Sequence, residues 1–307
     1  MDPRPPAEVG MALAEVDTPA LLIELDAFEA NLKRLADAVA ASPLRLRPHA
    51  KAHKCPIIAH KRMALGAVGV CCQKVSEAEA MVQGGVPDIL VSNEIVGEGK
   101  IRRLAALAGE ARVATCIDRI EAVASLGAAA RSFGATLGVL VEIDVGQNRC
   151  GVAPGAAAVP LARAAAETGG LAFLGLQAYH GSAQHFRTFD ERRRAIEEAA
   201  AKVEATLAAL DKAGLAAATV TGGGTGTYPF EIASGIYTEL QAGSYIFMDG
   251  DYGRNHARDG GPFADFRQAL FVLATVISHP RSRVKVLVLK TDEERMLAEH
   301  AAELLGV

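Results

Sequence analysis

The residues best suited to chemistry in this 307-residue chain lie in one basic stretch, positions 47–54, which reads RPHAKAHK. It follows a run that predicts a strand (44–46) and precedes a predicted helix (56–65). A lysine such as Lys51, at the carboxyl end of a parallel strand, can lose its proton in a dry pocket crowded with cations, and the neutral amine can then attack a carbonyl to form an imine. The neighbouring basic residues are Arg47, His49, His53 and Lys54. They would equally suit an anionic ligand, and the stretch alone is also consistent with a basic surface loop.

The composition limits the classes of function. The chain is 50% hydrophobic and 22% charged with a net charge of −4, which is typical of a globular protein with room for one large domain and part of another. The slight acidity argues against a nucleic-acid partner. No apolar run is long enough to span a membrane, and the first six residues lack a hydrophobic secretion core. We therefore expect a cytoplasmic protein that acts on a small molecule, with reduced cysteines at positions 55, 71, 72, 116 and 150 that form no zinc-type cluster.

Short apolar runs alternate with amphipathic, Ala- and Leu-rich segments, which is the pattern of parallel βα units. The run 18–25 predicts a first strand, after which Asp26 is predicted to cap a helix that ends near Ala41. A long charged helix is predicted over 189–213. Further strands are predicted at 44–49, 67–73, 88–93, 112–117, 136–144, 172–179, 217–221 and 239–247. Eight strands fit a closed α/β barrel of the TIM (β/α)8 type, with a doubly wound open sheet as the alternative.

Polar residues follow the predicted barrel strands at the end where such barrels carry their active sites. In strand order they are Lys51, Gln73, Asn93, Arg149, Tyr179 to His185, and the glycine run 222–226, with Gly243, Ser244 and Tyr245 inside the last predicted strand. Residues scattered over the surface would not keep this register. The sequence therefore predicts one convergent site on the rim of the barrel.

The glycine run GGGTG suggests a phosphate site. Without side chains the main chain can approach a phosphate and aim its N–H groups at it, while Thr225 adds a hydroxyl. Taken alone the run is weak evidence, because many glycine-rich turns bind nothing. Two histidines nearby, His180 and His185, are candidate acid–base groups, since imidazole titrates near neutrality.

Several motifs together resemble one enzyme family. The stretch RPHAKAHK and the segments CCQKVSEAEA, VEIDVGQNRCGV, LQAYHGSAQH, GGGTGTYPFE and SGIYTELQAGSYIFMDGDYG are similar to those of the D-threonine aldolase, D-3-hydroxyaspartate aldolase and D-serine dehydratase family. These are fold-type III pyridoxal-phosphate enzymes related to alanine racemase. The resemblance runs from about Thr18 to Ser278, and the forms CCQKVSEAEA and NRCGV are most similar to D-3-hydroxyaspartate aldolase.

The resemblance implies a fold, a reaction and site residues. It implies an alanine racemase-like barrel, a homodimer, and cleavage of a D-3-hydroxy amino acid to glycine and an aldehyde. Lys51 would carry pyridoxal 5'-phosphate covalently, and His185 would be the catalytic histidine, whereas His180 is given no role. Arg149 would contact the cofactor ring, although a salt bridge to Glu142 or Asp144 is an alternative. The remaining cofactor contacts would be Gln73, Tyr179, Gly223, Gly224, Thr225, Gly243, Ser244 and Tyr245.

The sequence departs from the family pattern after about His279. Relatives continue through a β domain with a His-x-Asp or His-Cys-Asp metal motif, whereas here 284–289 predicts a strand and 291–305 a helix. His300 has no Asp or Cys two residues later, so no metal ligand is assigned, although the family implies a divalent metal (Mg or Mn). The expected domains are 1–27, a strand of the second domain; 28–247, the barrel; and 248–307, a partial or altered β domain. A D-serine dehydratase and a non-catalytic pyridoxal-phosphate-binding barrel are the alternative functions.

Overall fold

The computed structural model describes residues 7–275, so the elements expected at 284–289 and 291–305 lie outside the described residues. The chain divides into two compact units, one formed by Ile23–Leu270 and the other by Met1–Leu22 with Phe271–Val307. Every residue of the candidate site lies in the larger unit. Among the residues described, no helix is long and apolar enough to cross a membrane.

Helices and strands alternate along the described residues. The helices are α1 (Leu25–Ala40), α2 (Pro56–Ala64), α3 (Val75–Gln83), α4 (Glu98–Leu107), α5 (Ile120–Ser132), α6 (Val159–Glu167), α7 (Phe189–Lys212) and α8 (Tyr228–Ser234). The strands are β1 (Ala20–Ile23), β2 (Arg45–Leu46), β3 (Val70–Cys72), β4 (Asp88–Glu94), β5 (Arg112–Ile117), β6 (Leu137–Glu142), β7 (Leu171–Gln177), β8 (Thr219–Gly222), β9 (Glu239–Leu240) and β10 (Leu270–Leu273).

Eight parallel strands form the central sheet in the order β2-β9-β8-β7-β6-β5-β4-β3. The two ends of this order also meet, because the amide of Val68 donates to the carbonyl of Leu46 (2.9 Å) and that of Cys71 donates to the carbonyl of Pro48 (3.0 Å). These bonds close the sheet, so the predicted barrel is confirmed over the open doubly wound alternative. β1 pairs with β10 in a separate two-stranded sheet.

Two predicted local features are wrong. Asp26 does not cap α1, because the Glu24 carboxylate accepts hydrogen bonds from the amides of Asp26 and Ala27 at the first turn. The last barrel strand ends at Leu240 rather than residue 247, and residues Ser244–Ile246 form a 3-10 turn. Their apolar side chains are buried beyond the strand, so the apolar run reports burial rather than an extended backbone.

The barrel is filled by two kinds of contact. A small apolar cluster lies on the inner face of the strands: Cys71, Leu90, Ala114, Cys116 and Leu140. At the amino ends of the strands, Arg47 pairs with Asp88 (2.5 Å) and Glu239 (2.9 Å). Burial alone would lower the pKa of the Arg47 guanidinium, but the charges of Glu239 and Asp88 outweigh it and raise that pKa. Arg47 is therefore a structural ion-pair residue.

Candidate active site

One cleft collects the polar residues at the carboxyl ends of the barrel strands. Nine of the eleven predicted site residues line it: Lys51, Gln73, Arg149, Tyr179, Gly223, Gly224, Thr225, Gly243 and Ser244. The other two, His185 and Tyr245, do not. The lining also includes His49, Ala52, Ser92, Gln177, Gln241 and Tyr252.

Lys51 is positioned by a short 3-10 turn, Ala50–Ala52, that begins just beyond β2. The His49 ring caps this turn, because its Nδ1 accepts a hydrogen bond from the amide of Lys51 (3.2 Å). The buried guanidinium of Arg62 donates to the carbonyl of His49 (3.0 Å) and to that of Gly243 (3.0 Å). Arg62 thus ties the lysine turn to the main chain of the facing segment.

Tyr245 lies behind the wall of the cleft. It is 1% exposed, its ring lies 5.1 Å from the Arg62 guanidinium carbon, and it packs against Phe266 with ring centroids 5.5 Å apart. The aromatic face stabilises the buried cation. In this structure Tyr245 supports Arg62 instead of lining the cleft.

Two of the residues predicted to be cations around Lys51, His49 and His53, are uncharged. Burial and the charges of Lys51 and Arg62 hold the pKa of His49 well below its usual range, and burial with the charge of Arg62 lowers the pKa of His53 to about 3. Both rings are therefore neutral near pH 7. The positive charges that act on the neighbouring His49 ring include those of Lys51, Arg62 and Arg149, and the sequence did not indicate Arg62.

The glycines of the cleft are required first by packing. A Cβ on Gly224 would lie 2.5 Å from Oε1 of Gln184, and one on Gly243 would lie 2.9 Å from Cβ of His49. Gly223 also has a φ of +75°, which side-chain-bearing residues rarely adopt. The absence of side chains at these glycines leaves space for neighbouring side chains such as those of Gln184 and His49. The sequence alone did not indicate this reason. In the same turn the Thr225 hydroxyl is buried and has no hydrogen-bond partner among the described residues.

Arg149 lines the cleft and also approaches Glu142, with 3.9 Å between Nη2 and Oε1. Asp144, the other proposed partner, instead accepts hydrogen bonds from the amides of Gly146 (2.9 Å) and Asn148 (3.0 Å). Burial, followed by the charge of Glu94, raises the pKa of Glu142 well above its usual range. A protonated Glu142 neutralises Arg149 only weakly, which leaves the guanidinium charge to act on the cleft.

An acidic cluster that the sequence did not indicate lies next to Arg149. The ligand atoms of Glu94, Asp118 and Cys150 lie within 4.8 Å of one another. Burial, with the charge of Glu94, raises the pKa of the Cys150 thiol to about 11, and Asp118 accepts a hydrogen bond from the amide of Gly151 (3.3 Å). These contacts describe a hydrogen-bonded group, and we assign no metal to it.

The two histidines after β7 have different surroundings. His180 is buried, its Nδ1 has no hydrogen-bond partner within residues 7–275, and burial lowers its pKa. The side chain of His185 is 51% exposed, and its Nδ1 lies 2.5 Å from Oδ2 of Asp251. The His185 ring also packs on Tyr252, with centroids 5.4 Å apart. Since Tyr252 lines the cleft, His185 lies one ring away from it.

Two glutamines complete the polar lining. The side-chain amide of Gln241 donates to Oε1 of Gln177 (2.7 Å) and to the Thr221 hydroxyl (2.9 Å). Gln177 ends β7 and Gln241 follows β9, the same strand-end position that pointed to Gln73. The strand-end rule could therefore have found both. Tyr179 lines the same cleft, and burial raises the pKa of its hydroxyl to about 12, so it is a neutral phenol.

The closed parallel barrel, with a lysine on the loop after its first strand, defines a class. Residues 23–251 match the family model described as "Alanine racemase, N-terminal domain", and the chain belongs to this family.

Within that family, the similar proteins include aldolases. The chain is 51% identical over 276 residues to a D-threonine aldolase of Arthrobacter sp, which covers 90% of this chain and 72% of the relative. It is 46% identical over 286 residues to a 3-hydroxy-D-aspartate aldolase of Paracoccus denitrificans (strain Pd 1222), covering 92% and 74%. The crystal structure of a D-threonine aldolase from Filomicrobium marinum superposes with a TM-score of 0.84 at 53% identity, covering 88% of this chain and 72% of that one. These likenesses support the aldolase interpretation over the dehydratase alternative.

Proposed function

We propose that this protein is a pyridoxal-phosphate-dependent aldolase that cleaves D-3-hydroxy amino acids. The products would be glycine and glyoxylate from 3-hydroxy-D-aspartate, and glycine and acetaldehyde from D-threonine. The observation that carries the proposal is the cleft itself, where Lys51, Arg149 and the glycine–threonine turn line one space at the barrel rim. The likeness to aldolases at 46–51% identity supports the reaction class.

The lining residues fit the cofactor. Thr225 offers a buried hydroxyl that has no partner among the described residues, and such a group costs free energy unless a ligand satisfies it. A phosphate accepts hydrogen bonds, so Thr225, the Ser244 hydroxyl and the nearby main chain would hold the phosphate. Lys51 would hold the aldehyde carbon, while Arg149 and Tyr179 would contact the ring. When bound, the cofactor supplies an electron-accepting ring for the charge left at Cα when a bond to it breaks.

The chain's own residues supply position and proton transfer. The turn capped by His49 fixes the main chain of Lys51, so the amine is presented from a rigid segment. Arg149 adds a fixed positive charge, which favours binding of an anionic amino acid. His185 would accept the proton of the β-hydroxyl at one ring nitrogen, so that the carbonyl of the aldehyde forms as the Cα–Cβ bond breaks.

Two further proposals follow from the family resemblance and a third, the cytoplasmic location, from the sequence composition. We propose that a divalent metal, Mg or Mn, assists at the β-hydroxyl, that the protein is a homodimer and that it works in the cytoplasm. A metal ion would polarise the hydroxyl oxygen and favour loss of its proton. Titration of Mn²⁺ into EDTA-treated protein during the assay tests the first, and light scattering after size-exclusion chromatography tests the second.

A substrate panel tests the proposed function directly. The full chain with pyridoxal phosphate and Mn²⁺ or Mg²⁺ would be incubated with D-threonine, D-threo- and D-erythro-3-hydroxyaspartate, and D-serine. We expect glycine with acetaldehyde or glyoxylate, and no turnover of L-threonine. Pyruvate from D-serine would indicate a dehydratase. A cofactor-loaded protein that releases neither product would indicate a non-catalytic pyridoxal-phosphate carrier.

A further inference from the structure

The carboxylate of Asp251 lies at one edge of the His185 ring. We propose that Asp251 is a positioning residue that holds His185 with its proton on Nδ1, which leaves Nε2 to accept the proton of the substrate β-hydroxyl. The inference rests on the role proposed above for His185.

The hydrogen bond sets the tautomer. Nδ1 of His185 lies 2.5 Å from Oδ2 of Asp251, and a carboxylate can only accept, so Nδ1 donates. A neutral imidazole carries one N–H, so the lone pair stays on Nε2. Because the His185 side chain is 51% exposed and the Asp251 side chain only 14%, the carboxylate is the fixed member of the pair.

Arg187 fixes the carboxylate from its other side. Its Nη2 donates to Oδ1 of Asp251 (2.7 Å), and its Nη1 donates to the Asp251 carbonyl (3.0 Å) and to Oδ1 of Asn255 (2.9 Å). The amide of Asp251 donates to Oδ1 of Asp249 (2.8 Å). Arg254 Nη1 lies 3.9 Å from the same Oδ1, so Oδ1 faces guanidinium groups while Oδ2 faces the His185 imidazole.

Tyr252 restrains the same ring on its face. The two rings are tilted by 35° with centroids 5.4 Å apart, and Tyr252 is 7% exposed and lines the cleft. A half-exposed histidine would otherwise sample several orientations. The contacts to Asp251 and Tyr252 together hold the ring next to the cleft.

The variant Asp251→Asn gives a sharp test, because its amide has one acceptor and one donor end. Arg187 can only donate, so the amide oxygen must face Arg187 and the NH2 group must face Nδ1 of His185. Nδ1 then has to accept, and the ring proton moves to Nε2. The nearly isosteric change therefore reverses the tautomer and removes the basic nitrogen from the substrate.

Long-range ¹H–¹⁵N spectra of the cofactor-loaded, ¹⁵N-histidine-labelled chain read this tautomer, recorded alkaline of neutrality, where imidazole is largely neutral. The His185 signals are assigned by their loss in His185→Gln. We expect Nδ1–H in the wild type, Nε2–H in Asp251→Asn, and recovery of Nδ1–H in Asp251→Glu. With D-threonine, Asp251→Asn should lower kcat about ten- to hundredfold, part of the effect of a positioned general base, with KM changed less than about threefold. The matched control, Asp190→Asn on the exposed surface of α7, should change neither readout.

The same tautomer in wild type and Asp251→Asn would overturn the proposal. If that variant fails to fold, the wild type alone decides, since an Nε2–H signal there also overturns it. If the tautomers change as expected but the chain shows no aldolase turnover, the role of Asp251 toward His185 stands and the proposed function is rejected.

Discussion

Arg62 is a buried residue whose removal should destabilise the fold around the site. Its side chain is 1% exposed and donates to the carbonyls of His49 and Gly243, each at 3.0 Å. In Arg62→Met both carbonyls lose a charged donor inside the protein. An unsatisfied buried polar group costs about 1–3 kcal/mol, so the gross loss is roughly 2–6 kcal/mol.

Part of this loss is offset. Burial lowers the pKa of Arg62, and its Nε has no hydrogen-bond partner among the described residues, so the cation itself is costly to bury. We therefore expect a net destabilisation of about 3 kcal/mol, which lowers Tm by roughly 6–12 °C in a domain of this size. Urea denaturation followed by circular dichroism, with calorimetry for Tm, measures both.

The matched control for this prediction is Arg112→Met. Arg112 also forms an ion pair, with Asp88 at 2.9 Å, but its side chain is 81% exposed. A surface pair of this kind contributes about 0–1 kcal/mol. Equal and small losses in the two variants would refute the argument that Arg62 holds the two carbonyls.

Two further predictions concern the cleft and its border. Thr225→Val replaces by an isosteric methyl a buried hydroxyl that has no partner among the described residues, so the stability of the cofactor-free protein should hold or rise. The affinity for pyridoxal phosphate should fall about 10- to 100-fold, because one hydrogen bond to a charged group is lost. Fluorescence titration measures this affinity, and an unchanged value would contradict the assignment of Thr225 to the phosphate. Burial and the charge of Glu94 raise the pKa of Glu142. The contribution of Glu142 to the free energy of unfolding is therefore fully present below the ordinary glutamate pKa of about 4.3, and it is lost as the pH rises through the raised pKa. Glu142→Gln should remove this loss, so that the variant gains stability over the wild type between pH 5 and 9 in urea melts; parallel curves would refute it.

The fold could be predicted largely because parallel βα units leave a regular apolar pattern. The run 112–117 matches β5 at both ends, and the helix predicted over 189–213 is α7 to within one residue. The pattern failed after Leu240, where the apolar residues are buried but their backbone is not extended. It also missed the Glu24 cap, because glutamate is not among the residues that are strongly preferred at the N-cap.

The chemistry of the site was less accessible from the sequence. Nine of the eleven predicted residues line the cleft, as their strand-end positions indicated. The charges of His49 and His53 were predicted wrongly, because they depend on burial that only the folded chain sets. Asp251 lies 66 positions after His185, and no local pattern joins them. Nothing in the sequence of α2 signals that the Arg62 side chain is buried.

Locating the cofactor on the chain tests most directly whether Lys51 carries pyridoxal phosphate. The full protein is incubated with pyridoxal phosphate, reduced with borohydride, digested and mapped by mass spectrometry, with Lys51→Ala and Lys54→Ala treated in parallel. We expect one stable modification on Lys51, present in Lys54→Ala and lost in Lys51→Ala. Modification of Lys54 or Lys74, or an unmodified Lys51 in the wild type, would contradict it.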